Sequence, residues 1–259
     1  MVCISFDVEE FDMPLEYNGT ISLEEQLSIS RTGVETILNL LNRYHVKATF
    51  FITAVFAQNN EDIIKRMAEQ GHEIASHTYY HSAFHERDLL HSKLVLEAIS
   101  GRKVYGLRMP RMQDVNPEAV ADAGYRYNSS VNPTWLPGRY NKLHIPRTLY
   151  KEGRLIQIPA SVSPLLRFPL FWLSFHNLPF NVYRYLLKRA YDKDGYVNIY
   201  FHPWEFADIS NQNFRLPSYT ISNTGDKMTR RFARLLDWIR ANNFPTGTLH
   251  ELTHQKPGY

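Results

Sequence analysis

The sequence predicts an α/β fold with parallel strands in a single domain over residues 1–259, either an open sheet or, as the strand count favours, a (β/α)7 barrel, closed or incomplete. Three observations predict it. Apolar strand-type runs alternate with amphipathic stretches along the whole chain, as βα units do when they feed a parallel sheet. No break in composition marks a domain boundary, and no internal repeat is present. The length of 259 residues, with seven or so strands, suits one barrel.

The elements follow in order. Residues 2–8 (VCISFDV) are mostly apolar, as a strand covered on both faces requires, and run at once into Asp7, Glu9, Glu10 and Asp12. Residues 11–30, with Pro14 and Asn18-Gly19, read as a loop. Val34, Ile37, Leu38 and Leu41 recur at helical spacing and predict a helix over 31–44. KATFFIT (47–53) is a buried strand, and Asn60 caps a helix that carries Ile63, Ile64 and Met67 and stops at Gly71. The strand HEIAS (72–76) leads to a helix over 86–100 with Leu90, Leu94 and Ala98 inward.

VYGLRM (104–109) is a strand stopped by Pro110, and Asn116-Pro117 opens a helix closed by Gly124. YRYNSSV (125–131) and LIQIP (155–159) are strands on either side of a long irregular loop at 132–153. A helix over 180–190, the strand YVNIYFH (196–202), an irregular stretch at 207–225, a helix marked by Met228, Phe232, Leu235, Leu236 and Ile239, and a short strand at 246–252 complete the chain.

Composition narrows the function. Hydrophobic residues at 44% and charged residues at 21% are those of an ordinary globular protein, while aromatics at 14% supply a large core or a sugar-stacking surface. A formal charge of +3 excludes a dedicated nucleic-acid binder, which would carry a concentrated basic stripe. The single cysteine, Cys3, allows no internal disulfide and reads as a buried thiol. No signal peptide precedes the first strand, so the expected location is cytoplasmic. No run of about 18 apolar residues is present, so no transmembrane helix is expected. Residues 165–191 combine aromatics with four Lys/Arg, which suits either a helix packed on the barrel or a peripheral contact with a membrane surface.

The chemistry-bearing residues gather at predicted strand ends, where parallel barrels place their sites. GHEIASHTYYH (71–81) carries His77 and His81 four residues apart, a spacing that puts two imidazoles on one side of a turn or tight loop and within reach of one metal ion. A zinc-type site of this kind also needs a carboxylate and leaves a position for water. The first strand ends in Asp7, Glu9 and Glu10, the strand at 104–109 in Arg108, Pro110 and Arg111, and the strand at 196–202 in His202 and Trp204. A core would not distribute charge this way, because a buried unpaired ion costs several kcal/mol, about as much as a whole buried hydrophobic side chain contributes.

These stretches, FDVEE (6–10), SHTYYH (76–81), RMP (108–110) and YFHPWE (200–205), in that order, resemble the polysaccharide deacetylase family, carbohydrate esterase family 4 with its chitooligosaccharide deacetylase homology domain. The resemblance covers roughly residues 4–206, and the DVE-type first motif with the HPWE ending points to the branch associated with bacterial exopolysaccharide production. It implies a distorted, incomplete barrel and metal-dependent hydrolysis of N-acetyl groups. It implies Asp7 as catalytic base, His77 and His81 as metal ligands, Arg108 as the arginine that orients the base, and His202 as general acid. The family's usual first motif has two adjacent aspartates. Here Val8 intervenes, so Glu9 is taken as the third ligand, with Glu10 as its substitute. Pro110, Arg111 and Trp204 are the expected substrate contacts.

The implied reaction is removal of N-acetyl groups from an amino sugar in a polysaccharide or glycan precursor by metal-activated water. Zinc is the default ion, with Co2+, Ni2+ or Fe2+ also suited to N/O ligands. Two departures stand out. Arg111 occupies a position where the family usually has an aromatic, and Asn128 stands where an aspartate commonly precedes the paired serines, a change expected to lower the pKa of His202. The rival readings are a deformylase or deacylase of a lipid-linked sugar, and a catalytically inactive glycan-binding barrel. The oligomeric state is not legible from the residues.

Overall fold

The computed structural model describes residues 1–255. Seven parallel strands form one curled sheet: β1 (Val2–Val8), β2 (Thr49–Ile52), β3 (Glu73–Ser76), β4 (Gly106–Leu107), β5 (Tyr127–Asn128), β6 (Leu155–Gln157) and β7 (Val197–Phe201). They lie in the spatial order β7-β1-β2-β3-β4-β5-β6, each parallel to its neighbours. The main helices are α1 (Leu23–Tyr44), α2 (Glu61–Glu69), α3 (Asp88–Ser100), α4 (Pro117–Asp122), α5 (Phe180–Asp194) and α6 (Asp226–Ala241). No helix of the described residues is long and apolar enough to cross a membrane.

The expected incomplete barrel is the observed one. No ladder joins β6 to β7. Polar groups bridge the gap instead: the Asn198 amide donates to the carbonyl of Pro159 (3.2 Å) and to Ser129 Oγ (3.1 Å), and Ser161 N–H donates to the Asn198 carbonyl (2.8 Å).

Strand periodicity sorts β1 into two faces. Val2, Ile4, Phe6 and Val8 join the main core between sheet and helices, while Cys3 belongs to a separate cluster inside the barrel with Phe51, Ala75, Tyr127 and Leu249. Along the inner face the residues run Cys3, Ser5, Asp7, from apolar floor to charged rim. Gly106 makes room on that floor: a Cβ there would stand 2.1 Å from the Tyr127 ring.

The helices depart from the sequence expectation where capping decides. α1 begins at Leu23, inside the stretch expected to be a loop, because Ser22 Oγ accepts the Glu25 N–H and starts the helix eight residues early. A four-residue helix, Met13–Glu16, lies in the same stretch. In α3 the predicted inward face is wrong: Leu90 and Leu94 are 48% and 53% exposed, whereas Leu89, Ser92 and Leu96 are buried. The helix is apolar on several sides, so hydrophobicity alone does not choose its face. Ser92 Oγ chooses it, bonding Ser76 Oγ at 2.9 Å.

The strand expected at 246–252 is only Thr246–Gly247, which pairs with β1, followed by a helix over Leu249–Gln255. Thr248 and Glu251 form a reciprocal cap, Thr248 N–H to Glu251 Oε2 and Glu251 N–H to Thr248 Oγ1. Glu73, half-buried on the barrel floor, accepts from His250 N–H and from the hydroxyls of Thr49 and Tyr127, which ties this helix beneath the barrel. The loop expected at 132–153 contains a hairpin, Trp135–Leu136 with Tyr140–Asn141, and a strand, Tyr150–Glu152, antiparallel to β6.

α1 meets the turn after β7 without a side chain between them. A Cβ on Gly33 would stand 1.8 Å from the Pro203 carbonyl oxygen. Replacement Gly33→Ala is expected to lower stability by about 1–3 kcal/mol through overpacking, read as an earlier midpoint in chemical denaturation. An unchanged midpoint would show that this close approach is dispensable.

Candidate metal and acid–base site

Arg108 lies at the centre of the barrel with its side chain fully buried. Four of its five N–H groups are satisfied: Nε donates to the Ser129 carbonyl, Nη2 to Ser129 Oγ, and Nη1 to both Ser5 Oγ (3.0 Å) and Asp7 Oδ1 (2.6 Å). The guanidinium is also sandwiched by Phe51 and Tyr200, 4.1 and 5.0 Å from the ring centroids. A buried ion pair persists when most of its remaining donors and acceptors are met, and here one guanidinium N–H alone lacks a hydrogen-bond partner among the described residues. The pairing commits one Asp7 oxygen. Oδ2 lies on the cavity side, 3.9 Å from His202 Nε2.

His77 directly follows β3, and a loop with Thr78 at positive φ (65°) brings His81 round beside it. Their rings stack at 5.7 Å. His77 Nδ1 meets the Arg108 carbonyl at 2.8 Å, and His81 Nδ1 meets Asp12 Oδ1 at 2.7 Å. A carbonyl or carboxylate oxygen accepts, so Nδ1 carries the hydrogen in both rings, and in the neutral rings Nε2 presents its lone pair. Both Nε2 atoms face Glu9 Oε2, at 3.2 and 3.0 Å.

Three electron-pair donors converging in this way need a cation among them. Glu9, His77 and His81 offer atoms that all lie within 4.8 Å of one another, a candidate site for a divalent metal ion. The two separations from Glu9 are close to the edge, roughly 3.3 Å, of a tetrahedron with bonds of about 2.0 Å. With the two rings protonated instead, burial opposes the charge on Glu9, but the charge on His81 and a hydrogen bond from His77 outweigh it and hold its pKa at about 2. Glu10, the substitute named from sequence, turns away. Its Oε2 accepts from Thr53 Oγ1, and burial pushes its carboxyl above the usual range.

His202 is held from behind. Its Nδ1 meets Glu205 Oε1 at 3.0 Å, and Glu205 Oε2 meets Nε2 of the buried His176 at 2.7 Å. Trp204 stacks on the imidazole at 5.1 Å with an interplanar angle of 20°, and Trp172 meets it edge-on at 5.6 Å. Burial works against protonation of His202, yet the Glu205 hydrogen bond and the charges of Glu9, Glu205 and Asp7 raise its pKa above the ordinary value. This corrects the expectation attached to Asn128. That amide bonds Gln157 Oε1 (3.0 Å) and Ser130 Oγ, not His202, and the supporting acid is Glu205, within the same YFHPWE stretch.

These groups share a cavity of about 300 Å³, lined by Asp7, Glu9, His77, His81 and His202 together with aromatic residues that include Tyr140, Phe171 and Tyr200. Of the three expected substrate contacts only Arg111 lines it. Its guanidinium is engaged with Asp12 Oδ2 (3.1 Å), Glu16 Oε1 (2.5 Å) and the His81 carbonyl (3.0 Å), so it steadies the acid that steadies His81. Pro110 is buried outside the lining, and Trp204 is completely buried behind His202. Sequence reasoning missed the roles of Asp12, Glu205 and His176. The first two stand in stretches already singled out, the acidic run after β1 and YFHPWE; His176 gave no signal beyond being a histidine in an apolar run.

Comparison with known proteins finds similarity to one family. Residues 26–128 match the profile of the family described as Polysaccharide deacetylase. A chitooligosaccharide deacetylase of Sinorhizobium fredii is 42% identical over 65 residues, 24% of this chain and 29% of that protein. The chain spans less than a third of the length of the curated relatives it matches first. A Mycobacterium smegmatis structure assigned to the polysaccharide deacetylases superposes with a TM-score of 0.60 at 19% identity, covering 96% of this chain and 92% of that one. A Bacillus anthracis pseudoenzyme of carbohydrate esterase family 4 gives 0.53 at 15% identity, covering 97% and 64%. At these identities the structural likeness speaks for the fold.

Replacing Glu9 by Ala is expected to weaken metal binding by about 10-fold or more, while Glu10→Ala leaves it within about threefold. Calorimetric titration of metal-stripped protein with zinc checks this. Equal losses in the two variants would remove Glu9 from the ligand set.

Proposed function

We infer that this chain, which matches the polysaccharide deacetylase profile over residues 26–128, is a metal-dependent hydrolase that removes N-acetyl groups from an amino sugar in a polysaccharide or glycan precursor. Its FDVEE and YFHPWE stretches are the ground for proposing a bacterial exopolysaccharide as the glycan. One observation carries the reading: an Arg108-held carboxylate and a Glu205-held imidazole face one cavity beside the Glu9, His77, His81 cluster.

A divalent ion bound there, with zinc the default for two imidazoles and a carboxylate, would polarise the amide carbonyl and acidify water. Asp7 supplies the base. Arg108 fixes its orientation and leaves Oδ2 to take the proton as a water oxygen bonds to the carbonyl carbon. The Arg111 backbone N–H, on the turn after β4, is the proposed donor to the developing oxyanion.

His202 supplies the acid. Glu205 holds Nδ1, so the proton on Nε2 points into the cavity. As the carbon–nitrogen bond breaks, that proton passes to the amine, and acetate leaves with the oxygen from water. The inactive glycan-binding alternative is disfavoured because base, acid and the candidate ligands are all present and oriented. An assay that separates acetate from formate distinguishes N-acetyl from N-formyl substrates.

Asp7→Asn is expected to cut acetate release from N-acetylated chitooligosaccharides by about 10²–10⁴-fold with bound metal unchanged. Turnover within about tenfold of the parent would remove Asp7 as base.

The base must be ionised and the acid protonated, so the pH–rate profile is expected to be bell-shaped. The alkaline limb falls as His202 loses its proton. Glu205 raises the pKa of His202, so Glu205→Gln should move that limb to lower pH. An alkaline limb that stays in place would separate it from His202.

A further inference from the structure

A second cavity, about 560 Å³ and larger than the catalytic one, opens beside it. The two share a wall of Leu136, Pro137, Phe171, Leu173 and Tyr219, so an occupant of the second lies directly beside the first. Its chemistry is different. No charged residue lines it, and Trp135, Leu166 and Phe168 add to the apolar surface.

Three polar side chains on the lining are already committed to backbone carbonyls. Thr134 Oγ1 donates to Arg167, Ser174 Oγ to Pro169, and Asn177 Nδ2 to Leu173. A sugar ring needs free donors and acceptors for its hydroxyls, and an apolar chain needs none. The rim is unusually exposed for apolar residues: Leu165 and Leu166 are 86% and 88% accessible and Trp135 58%. Exposed apolar surface on this scale marks a binding site for something apolar. Arg139 lines the catalytic cavity two residues beyond the shared Pro137, and its side chain makes no hydrogen bond or ion pair among the described residues. That places an available cation near the junction of the two cavities.

We propose that the second cavity binds the hydrocarbon chain of a lipid-carried amino sugar, with Arg139 facing the phosphate that joins chain to sugar. The proposal rests on the deacetylase reading for the sugar end alone. The lining, the shared wall and the free cation argue for an apolar chain on an anionic linker whatever the reaction.

Binding and turnover are therefore measured separately on the zinc-loaded chain. In the first arm, titration of tryptophan fluorescence with butyl and octyl glucosides, which carry no amide, is expected to show affinity rising about 10-fold or more with chain length, given the gain from each buried methylene. Trp135→Ser and Leu166→Ser, both at exposed positions, should reduce that rise to about threefold or less. An octyl phosphate should bind more tightly than octyl glucoside, and Arg139→Gln should remove the difference.

In the second arm, the KM for octyl N-acetylglucosaminide should fall about 10-fold below that for the butyl compound, with kcat changed little. A flat alkyl series would overturn the proposal even if acetate is released. So would binding to neutral phospholipid vesicles without an alkyl-glucoside gain, which would make the patch a membrane-contact surface. So would a gain that follows the length of the N-acyl group instead of the alkyl group. Chain-dependent binding without acetate release from either substrate would support the groove and overturn the deacetylase reading.

Discussion

The buried pair of Arg108 and Asp7 is the constraint on which the site depends. It joins the ends of β4 and β1 across the inside of an open sheet. Removing one member of such a pair leaves an uncompensated charge and costs about 3–5 kcal/mol, so both side chains are locked in one geometry. Ser5, on β1 itself, and Ser129, directly after β5, complete the shell. The Arg108 carbonyl meanwhile holds His77 Nδ1. One residue therefore sets the direction of the candidate base through its side chain and of a candidate ligand through its backbone.

The same logic recurs around the rim. Asp12 orients His81 and is itself held by Arg111, and Glu205 orients His202 and is itself held by His176. Each imidazole has one nitrogen fixed to an oxygen and the other turned to the cavity. Trp204 and Trp172 close around His202. The aromatic richness of the chain thus serves the packing behind the acid as much as the surface in front of it. Beside this charged chamber the apolar groove adds a second kind of environment, and the two share one wall.

Much of this was legible. The strand ends that carry Asp7, Glu9, His77, His81, Arg108 and His202 could be read from residue type, order and spacing, because parallel strands all deliver their carboxyl ends to one rim. Two helix starts were also written in the chain, Ser22 with Glu25 and Thr248 with Glu251, yet they were outweighed by the loop-like and strand-like composition around them. The inner face of α3 was not legible, since several of its sides are apolar and a hydroxyl contact with Ser76 settles the choice. The role of Trp204 was not legible either: a tryptophan beside a histidine reads the same whether it faces a sugar or the core.

By itself the sequence determined the class of fold and which residue types stand at the strand ends, because periodicity and order along the chain are local properties. Only the tertiary structure decided that Glu9 and not Glu10 faces the histidines, that Glu205 and not residue 128 supports His202, and that Arg111 braces Asp12 from the cavity lining. Those outcomes turn on directions of side chains a few ångströms apart. Such directions are set by partners far away in the sequence, Thr53 for Glu10, His176 for Glu205 and Glu16 for Arg111, and spacing along one chain carries no record of them.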